Sequence, residues 1–434
     1  MYKYYIALGS NLGETSKNID TAIDKIKKQQ QIKITKIAPY YFTNPLLPPN
    51  ADESYYKIFC NTCIEIETTK EPLQLLQILQ NIEIEMGRQK QHQHWSPRII
   101  DIDILYCEEN GKAVNISTKN LIIPHKELFN RAFVLDPLAQ LNSTLKINGK
   151  SVIKTAKKHK NHQAVIMAIV NITDNSFSGD GVVNAIDVEN KINKLVENAI
   201  PIVDIGCEAT NKKARHLTYQ EEIEKLKTAN IFNIINKVKR KTYSTRFSID
   251  TYHPETAEFC LKNGFDIIND VNGFKDERMW KIMQQFPQAE CVIMHSLEPH
   301  ASDKVVGGDK NVVNVLNTWT ATIKQKASKY CILADRIILD YGIGFGKTSL
   351  QSLQILQQVN KIKSYNFRVL IGHSKKSFMS LFAKNENDKT LLQPQNRVFE
   401  TLGLSVALQQ KGVAILRVHD AIELQSITLT SLSV

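Results

Sequence analysis

Residues 1–145 alternate between strand-like and helix-like patterns of apolar and polar positions. Alternating apolar residues predict half-buried strands, and apolar residues at helical spacing predict amphipathic helices. The predicted strands cover 3–8, 34–43, 58–67 and the end of 95–106, and the predicted helices cover 14–28 and 72–86. This order of strand, helix, two strands, helix and strand is the ferredoxin-like α+β plan. The Glu-Glu-Asn-Gly sequence at 108–111 predicts a hairpin turn after the last strand.

A different pattern follows residue 163, where eight short, nearly continuous apolar runs alternate mostly with helix-like stretches. Strands that are buried on both faces have such runs. The runs are AVIMAIVNI, IPIVDIG, RFSID, DIINDV, ECVIMH, RIILDYG, RVLIGHS and AILRVHD, and the helix-like stretches include 187–198, 219–238 and 312–330. Eight strand–helix units in about 270 residues predict a (β/α)8 TIM barrel, with a doubly wound open sheet as the alternative.

The two patterns predict an α/β protein with two domains. A chain of 434 residues is too long for one ordinary core. The polar and basic stretch 150–163 separates the patterns and is predicted to be a linker. We therefore expect a ferredoxin-like domain over 1–158, followed by a TIM-barrel domain over 163–434.

Composition changes this picture little. Apolar residues make up 42% and charged residues 23% of the chain, which is close to the average of globular proteins and argues against disorder. We find no apolar run long enough to span a bilayer, and the first residues lead into a strand pattern rather than a signal peptide. Seven cysteines without regular spacing are typical of a reducing compartment, so we expect a cytoplasmic protein.

The net charge of +11 indicates an anionic partner. The lysines are spread along the whole chain and form no basic run interleaved with aromatic residues. This distribution favours small anionic substrates such as nucleotides and diphosphates over nucleic acid. Nucleic-acid binding remains an alternative, and it predicts retention of DNA or RNA that weakens steeply with salt.

Asp101 and Asp103 raise the first question of chemistry. They lie two positions apart on a predicted strand, so both carboxylates leave the same face. Two like charges so close repel each other, and each is costly to bury. The pair is either a solvated acidic face or a site where a ligand compensates the charge.

Polar side chains stand at the carboxyl end of every predicted barrel strand, which is where TIM barrels place their active sites. An aspartate in such a place can also be a simple helix N-cap, above all at Asp204 or Asp270. Cations follow the last two strands, in the sector where barrels bind phosphate. The strand-end residues are Asn171, Asp204, Asp250, Asn269, Asp270, His295, Asp340, Ser374, Lys375, Lys376, Arg417 and His419.

Two other motifs predict little by themselves. The sequence DYGIGFGKT at 340–348 ends like a nucleotide-binding P-loop, but its first glycine is one residue too near the Gly-Lys pair. Its glycines are expected to let the loop pass close to a bound ligand. Cys60 and Cys63 form a Cys-x-x-Cys pair, but residues three apart on a strand face opposite ways.

The first part of the chain resembles hydroxymethyl-dihydropterin pyrophosphokinase, a ferredoxin-like enzyme. The matching stretches are YYIALGSNLGE, FCNTCIEIET, GRQKQHQHWSPRIIDIDILY and LIIPHKELFNRAFVLDPL. The resemblance implies that Asp101 and Asp103 hold two Mg²⁺ ions, which bridge the phosphates of the co-substrate ATP and offset charge on the transferred group. It also assigns Arg88 and Arg98 to phosphates and catalysis, His125 and Arg131 to ATP, and Thr43, Asn61, Glu83, Trp95 and Phe133 to the pterin substrate and the catalytic neighbourhood.

The second part resembles dihydropteroate synthase, a TIM-barrel enzyme. The matching stretches are IMAIVNITDNSFSGDG, IVDIGCEAT, SIDT, IINDV, ILDYGIGFGK, LIGHSKKSF and RVHD. The resemblance implies a pterin diphosphate substrate that condenses with p-aminobenzoate, with Asp250 and Lys376 as the catalytic pair. It assigns Asp250, Asn269, Asp340 and Lys376 to the pterin ring, Asn171, Arg417 and His419 to the diphosphate, with Mg²⁺ shared at Asn171, and Thr210 and Ser374 to p-aminobenzoate.

The chain departs from the synthase pattern in the loops assigned to p-aminobenzoate. Residues 173–177 read Thr-Asp-Asn-Ser-Phe where the family has Thr-Pro-Asp-Ser-Phe, Asn211 replaces an arginine, and Tyr341 replaces a proline. A barrel that binds pterin without turnover is therefore the alternative to an active synthase, and a pterin-dependent methyltransferase is a further rival. Barrels of this family usually pair, so we expect a homodimer through the second domain.

Overall fold

A computed structural model of the chain describes residues 1–48, 50–88, 96–172, 184–208, 216–298, 304–307, 311–382 and 397–432. The chain divides into two compact units, one formed mainly by residues 1–163 and the other mainly by residues 164–427. None of the helices in the described ranges is long and apolar enough to cross a membrane.

The first unit is an α+β domain. Its helices are α1 (Thr15–Lys27), α2 (Pro72–Glu85), α3 (Ala132–Leu141) and α4 (Val152–Ala156). Its strands are β1 (Tyr2–Ser10), β2 (Ile32–Ile37), β3 (Tyr41–Thr43), β4 (Phe59–Thr68), β5 (Asp101–Glu109), β6 (Lys112–Ala113), β7 (Ile116–Ser117), β8 (Ile122–Ile123), β9 (Lys146–Ile147) and β10 (Lys150–Ser151).

The main sheet of this unit confirms the ferredoxin-like prediction. Its strands run in the order β2-β4-β1-β5-β6, with β3 also paired to β4, and the paired strands are antiparallel. Alternating side chains along the central strands enter two separate cores, so Cys60 packs with one core and Cys63 with the other. The predicted opposite orientation of these cysteines is confirmed. Asn110 and Gly111, both with positive φ, form the predicted hairpin turn between β5 and β6.

Two predictions for the first unit were wrong. The strand expected over 34–43 is divided into β2 and β3, because Ala38-Pro39-Tyr40 interrupts the ladder and proline cannot donate to it. The expected linker 150–163 is folded, because β10 and α4 begin there. Val152 and Ile153 of α4 are buried in the core beside α3, and the segment ends with the buried His162 Nδ1 at 2.6 Å from Asp136 Oδ1.

The second unit is a closed barrel of eight parallel strands, which confirms the TIM-barrel prediction over the open sheet. Its strands are β11 (Val165–Asn171), β12 (Ile202–Gly206), β13 (Arg246–Asp250), β14 (Ile267–Asp270), β15 (Glu290–Met294), β16 (Ile337–Asp340), β17 (Arg368–Ile371) and β18 (Ile415–Val418). Its helices are α5 (Ala185–Glu197), α6 (Tyr219–Thr228), α7 (Ile231–Lys239), α8 (Pro254–Lys262), α9 (Glu277–Gln285), α10 (Val312–Lys329), α11 (Ser349–Gln357), α12 (Val398–Gln410) and α13 (Ala421–Ser431).

The helix expected over 219–238 is two helices, α6 and α7, which meet at Asn230. Asn230 has φ of 56°, a left-handed conformation that asparagine tolerates better than most residues but that ends a helix. The barrel strands are buried almost throughout and pack against the surrounding helices. At the amino-terminal ends of their strands, the carboxylate of Glu290 forms ion pairs with Arg246 and with Arg368, each at 3.0 Å.

Candidate active sites

A cavity of about 390 Å³ opens in the first unit. Strands β1, β4 and β5 form its wall. The rest comes from the end of β3, the loops after β3 and β8, the segments after α2 and before β5, and the start of α3. Nine of the residues assigned from the sequence line this one cavity: Thr43, Asn61, Arg88, Arg98, Asp101, Asp103, His125, Arg131 and Phe133. Side chains that are distant in the sequence therefore converge, as a binding site requires.

Asp101 and Asp103 both face this cavity, because residues two apart on β5 point the same way. Asp101 accepts one guanidinium on each oxygen: Arg88 lies 2.9 Å from Oδ1 and Arg98 lies 3.1 Å from Oδ2. The carboxylate of Asp103 has no hydrogen bond or ion pair with any residue that the structure describes. Burial, reinforced by the charge of Asp101, raises the pKa of Asp103 to about 6. Asp103 is thus a carboxylate that needs a further positive partner.

Glu83 lies beneath the cavity and supports this arrangement. One of its oxygens accepts the backbone N–H of Ile102 at 2.8 Å and also receives Arg88. Burial raises the pKa of Glu83 to about 7, and Arg88 opposes the shift. Arg88 therefore connects Glu83 to Asp101, so the sequence assignment of Glu83 to this neighbourhood agrees with the geometry, although Glu83 is not among the lining residues.

The donor set at Asp101 and Asp103 fits a hard divalent cation. Both residues offer carboxylate oxygens, the ligands that Mg²⁺ takes in proteins. A cation between them would relieve their mutual repulsion and the burial cost of Asp103. Arg98 adds an unusual feature, since its Nε is buried and makes no hydrogen bond among the described residues. That N–H is available to an anion held beside the carboxylates.

Other residues that line the cavity are suited to a flat ring and a nucleotide. Asn61 donates to the hydroxyl of Thr43 at 2.8 Å, which fixes the amide at the wall of the cavity. Arg131 stacks over the ring of Phe133 at 5.7 Å. Burial lowers the pKa of His125, and Arg131 adds to the effect, so the imidazole is neutral near pH 7. Trp95, which the sequence also assigned here, lies outside the described residues.

In the barrel, the assigned residues collect at the carboxyl ends of the strands. Asp250, Asn269 and Asp340 end or nearly end β13, β14 and β16. The others follow at the ends of neighbouring strands, and Thr210 lies outside the described residues. The remaining described members are Asn171, Ser374, Lys376, Arg417 and His419.

Arg417 is the centre of a charge network in the barrel mouth. Its Nε lies 2.6 Å from Asp204 Oδ2 and its Nη2 lies 2.7 Å from Asp250 Oδ2. Asn269 donates to the same Asp204 oxygen at 2.9 Å. Burial raises the pKa of Asp250 to about 7, although Arg417 opposes the shift. A ligand that takes hydrogen bonds on Asp250 must therefore compete with Arg417 or share the carboxylate with it.

Asp340 and Lys376 form a second cluster at the mouth. The backbone N–H of Gly342 donates to Asp340 Oδ1 at 2.8 Å, and Lys376 donates to the carbonyl of Ile343. Burial lowers the pKa of Lys376 to about 8, while Asp340 opposes the shift. The pKa of Asp340 is raised by burial and opposed by Lys376. Such an acid and base pair can bind a ring that carries both donors and acceptors.

The last two strand ends supply a hydroxyl and an imidazole. Ser374 Oγ lies 2.9 Å from His419 Nδ1, and the backbone N–H of His419 also donates to that hydroxyl. Asn171 reaches the same mouth. If Gly206 carried a Cβ, that atom would lie 3.5 Å from Asn171 Oδ1 and 3.5 Å from the Cβ of Asp250. Asn171 and Asp250 therefore lie beside each other at the mouth.

Three strand-end residues do not have the ligand role that their position suggested. Asp270 accepts the backbone N–H groups of Asn272 at 2.6 Å and Phe274 at 2.7 Å, so it holds its own loop. Lys375 pairs with Asp420 at 3.1 Å and is not free to bind phosphate. His295 contacts the buried Lys347 at 3.0 Å.

The glycine-rich loop after β16 also differs from the expectation. Its close approach is to the protein itself, because a Cβ on Gly342 would lie 2.1 Å from the carbonyl oxygen of His295. Sequence reasoning missed Asn11, which accepts the backbone N–H of Arg98 at 2.8 Å. It named Asp204 as a strand-end residue but gave it no part in ligand binding, whereas Asp204 holds Arg417 and Asn269. A polar residue within a strand that is otherwise entirely apolar was the available signal for Asp204.

Comparison with known proteins agrees with both units. The family of 7,8-dihydro-6-hydroxymethylpterin-pyrophosphokinase matches residues 5–143, and the family of pterin binding enzymes matches residues 167–419. Among solved structures, a dihydropteroate synthase from Anaplasma phagocytophilum with bound 6-hydroxymethylpterin-monophosphate is 30% identical, with a TM-score of 0.52. The match covers 62% of this chain and 98% of that one.

Two curated relatives match almost the whole chain. The folic acid synthesis protein fol1 of Pneumocystis carinii is 30% identical over 98% of this chain, which spans only 59% of that protein. The folate synthesis bifunctional protein of Chlamydia caviae is 31% identical, and the match covers 96% of this chain and 94% of that protein. The chain therefore belongs to the family of bifunctional folate synthesis proteins, in which a hydroxymethylpterin pyrophosphokinase domain is joined to a pterin-binding barrel.

Proposed function

We propose that the chain carries out two consecutive reactions of folate synthesis. The first unit transfers diphosphate from ATP to hydroxymethyl-dihydropterin, with release of AMP. The barrel then condenses the pterin diphosphate with p-aminobenzoate to give dihydropteroate and diphosphate. The observation that carries the proposal is that one chain has two separate clusters of acidic and basic side chains, each built from the residues that the two families imply.

In the first unit, the cations surround the place where charge develops during transfer. Arg88 and Arg98 contact Asp101 and would turn toward the phosphate oxygens when a nucleotide is present. Fixed guanidinium groups stabilise a phosphoryl transition state through position and charge. Thr43 and Asn61 would orient the pterin, so that its hydroxymethyl oxygen attacks the β-phosphorus of ATP and AMP leaves.

Asp101 and Asp103 are the residues that would hold Mg²⁺ in this unit. When bound, the ion supplies positive charge to the phosphate oxygens and orients them. The two carboxylates would place that charge directly beside Arg88 and Arg98, and Asp103 would gain the partner that it lacks among the described residues. His125 and Arg131, which line the same cavity, would contact ATP.

In the barrel, Asp250 and Asp340 would bind the polar edge of the pterin. A carboxylate can accept two parallel hydrogen bonds from an aminopyrimidine, which fixes the orientation of the ring. Asn269 and Lys376 would complete the ring site, and Asn171 would supply an oxygen ligand to Mg²⁺ at the diphosphate.

Arg417 and His419 would hold the diphosphate in the barrel. As the bond between the pterin methylene carbon and the diphosphate oxygen breaks, these residues would stabilise the charge on the departing oxygen. The amine of p-aminobenzoate then forms the new bond to that carbon and loses a proton. Ser374, with Thr210 outside the described residues, would lie near p-aminobenzoate.

A coupled assay tests both halves. The chain is incubated with ATP, Mg²⁺, hydroxymethyl-dihydropterin and p-aminobenzoate, and AMP and dihydropteroate are measured. The proposal predicts both products, and chelation of Mg²⁺ should stop AMP release. A chain that releases no AMP would refute the first reaction. AMP without dihydropteroate would refute the second alone, and would favour a barrel that binds pterin without turnover.

We also propose a homodimer through the barrel and a cytoplasmic location. Phe399 on α12 and Leu350 on α11 are 86% and 70% exposed, and a dimer contact that covered them would remove apolar surface from water. Light scattering on the native chain should give twice the monomer mass, and Phe399→Asp should lower it. All seven cysteines are free thiols, which suits a reducing compartment.

A further inference from the structure

Lys347 is a buried cation outside the residues assigned to substrate. Its side chain is 6% exposed. Its ammonium lies 3.0 Å from both the carbonyl oxygen and Nδ1 of His295, and 2.9 Å from the carbonyl oxygens of Gly342 and Phe345. A lysine ammonium has three N–H donors, so these four acceptors use its whole hydrogen-bonding capacity. Lys347 is therefore fixed in place and cannot turn to a ligand without breaking this cluster.

These contacts join two separate strand ends of the barrel. His295 follows β15, while Gly342 and Phe345 belong to the loop after β16. The loop is held tightly at this junction, because the α-carbon of Gly342 faces the His295 carbonyl, where even a methyl group would clash. The φ of Gly342 is +65°, which glycine adopts without strain. The ammonium is thus the connection that keeps the loop against β15.

The same loop positions two residues of the proposed pterin site. The backbone N–H of Gly342 donates to Asp340, and the carbonyl of Ile343 accepts from Lys376. The ring of Phe345 lies 4.6 Å from the Lys376 ammonium, a cation–π distance. A shift of this loop would therefore move the N–H that donates to Asp340 and the carbonyl that accepts from Lys376 together.

The buried acceptors around the ammonium make the arrangement sensitive to the loss of Lys347. Burial lowers the pKa of Lys347 to about 7, with Asp340 opposing the shift. Burial, with the charge of Lys347, lowers the pKa of His295 to about 3, so the imidazole is neutral and its Nδ1 can accept. Without the ammonium, three backbone carbonyls would lose a buried donor, and each such loss is costly.

We propose that Lys347 is a positioning residue for the pterin-binding barrel: it clamps the loop after β16 to the end of β15 and so sets the placement of Asp340 and Lys376. This inference rests on the proposed function of the barrel. It assigns Lys347 a role in affinity for the pterin ring and no contact with substrate. Affinity for p-aminobenzoate should depend on it much less, because none of the residues that Lys347 contacts is assigned to that substrate.

The test compares Lys347→Met with the native chain in the full-length protein. Methionine has a similar length and no donor. The dissociation constant for 6-hydroxymethylpterin monophosphate is measured by calorimetry, and thermal unfolding is followed in parallel. The constant should rise about tenfold or more, since a binding site loses that much when its supporting residues loosen by about an ångström. The KM for p-aminobenzoate and the release of AMP by the first unit should stay near native values.

Two further variants make the result unambiguous. Lys361→Met removes an exposed lysine and should leave both affinities unchanged. His295→Leu removes one acceptor of Lys347 and serves if Lys347→Met does not fold; it should weaken pterin binding in the same direction by a smaller factor. A native pterin affinity in a folded Lys347→Met chain would overturn the inference, as would a native affinity in His295→Leu when the lysine variant is unfolded.

These outcomes separate the inference from the proposed function. If the native chain binds the pterin monophosphate but forms no dihydropteroate, the condensation is refuted, while the effect of Lys347 on binding is still measured. If the native chain forms dihydropteroate and Lys347→Met binds pterin normally, only the positioning role is refuted. A lower unfolding temperature with unchanged pterin affinity would show a purely structural lysine, which also contradicts the inference.

Discussion

The substitution Asp340→Asn gives a quantitative test of pterin recognition. Oδ1 of Asp340 accepts the N–H of Gly342 at 2.8 Å, while Oδ2 faces Gly372, where a Cβ would be 3.6 Å away. Asparagine can keep its oxygen toward Gly342 and would then present an NH₂ group in place of Oδ2. The substitution therefore replaces one charged acceptor at the mouth with a donor and leaves the local turn intact.

The expected loss follows from that single acceptor. A hydrogen bond to a charged group contributes about 1.5–3 kcal/mol, which corresponds to a factor of about 10–150 in affinity. Calorimetry with 6-hydroxymethylpterin monophosphate should show a dissociation constant raised within this range, or above it if the new donor meets a donor of the ligand. A constant within about twofold of the native value would refute the role assigned to Asp340.

Asp270→Asn is the matched control for this experiment. Asp270 is also a buried aspartate at the same end of the barrel, but both of its oxygens accept backbone N–H groups. Asparagine would place an NH₂ group against one of those donors, at a cost of about 1–3 kcal/mol in the free energy of unfolding. Fluorescence of Trp280 and Trp319, which both lie in the barrel, should report this loss, while pterin affinity should stay near native.

Three further predictions concern other parts of the chain. Asp103→Asn should lower AMP release about 100-fold or more, because a metal's charge is worth several kcal/mol in such a transition state; steady-state rates over a range of Mg²⁺ concentrations check this. Glu290→Gln should lower the free energy of unfolding of the barrel by about 3–5 kcal/mol, because its two arginine partners would lose their buried counter-charge, whereas Glu258→Gln in an exposed pair should cost about 0.5 kcal/mol or less. Burial alone would raise the pKa of Glu290, but the arginines hold that pKa below its ordinary value. The stabilisation by this carboxylate should therefore be complete above about pH 4.3, the pKa of an unfolded glutamate, and should vanish as the pH falls through the lower folded pKa. Urea unfolding at several pH values would show this dependence. Gly342→Ala should lower the unfolding temperature of the barrel, since its methyl group would meet a carbonyl oxygen at 2.1 Å.

Much of the fold could be predicted because the apolar pattern is regular. Strands that are buried on both faces, such as β12 and β15, have an almost continuous apolar run, so the barrel followed from counting such runs. The break between α6 and α7 could not be predicted, because the apolar spacing continues through Asn230 and only its left-handed backbone ends the helix. The folding of 150–163 was missed because its many lysines hid the three buried apolar residues that anchor α4.

The sites were predictable to the extent that a residue's position along a strand determines its direction. Asp101 and Asp103 could be assigned to one face from their spacing, and Asp340 to the barrel mouth from its place at a strand end. The sequence could not show how each side chain is used once it is there. Asp270 and Asp340 each end a barrel strand, and only the three-dimensional structure shows that backbone donors occupy both oxygens of Asp270 but one oxygen of Asp340.

The central claim is that each unit has its own pterin site with its own chemistry, and paired single-site variants test it most directly. AMP and dihydropteroate are measured for Asp103→Asn and Asp340→Asn, with pterin diphosphate also supplied to the first variant. The account predicts that Asp103→Asn loses AMP release but still converts supplied pterin diphosphate to dihydropteroate, while Asp340→Asn keeps AMP release and loses most dihydropteroate. Loss of both products in either variant while the protein remains folded, or of neither product, would contradict it.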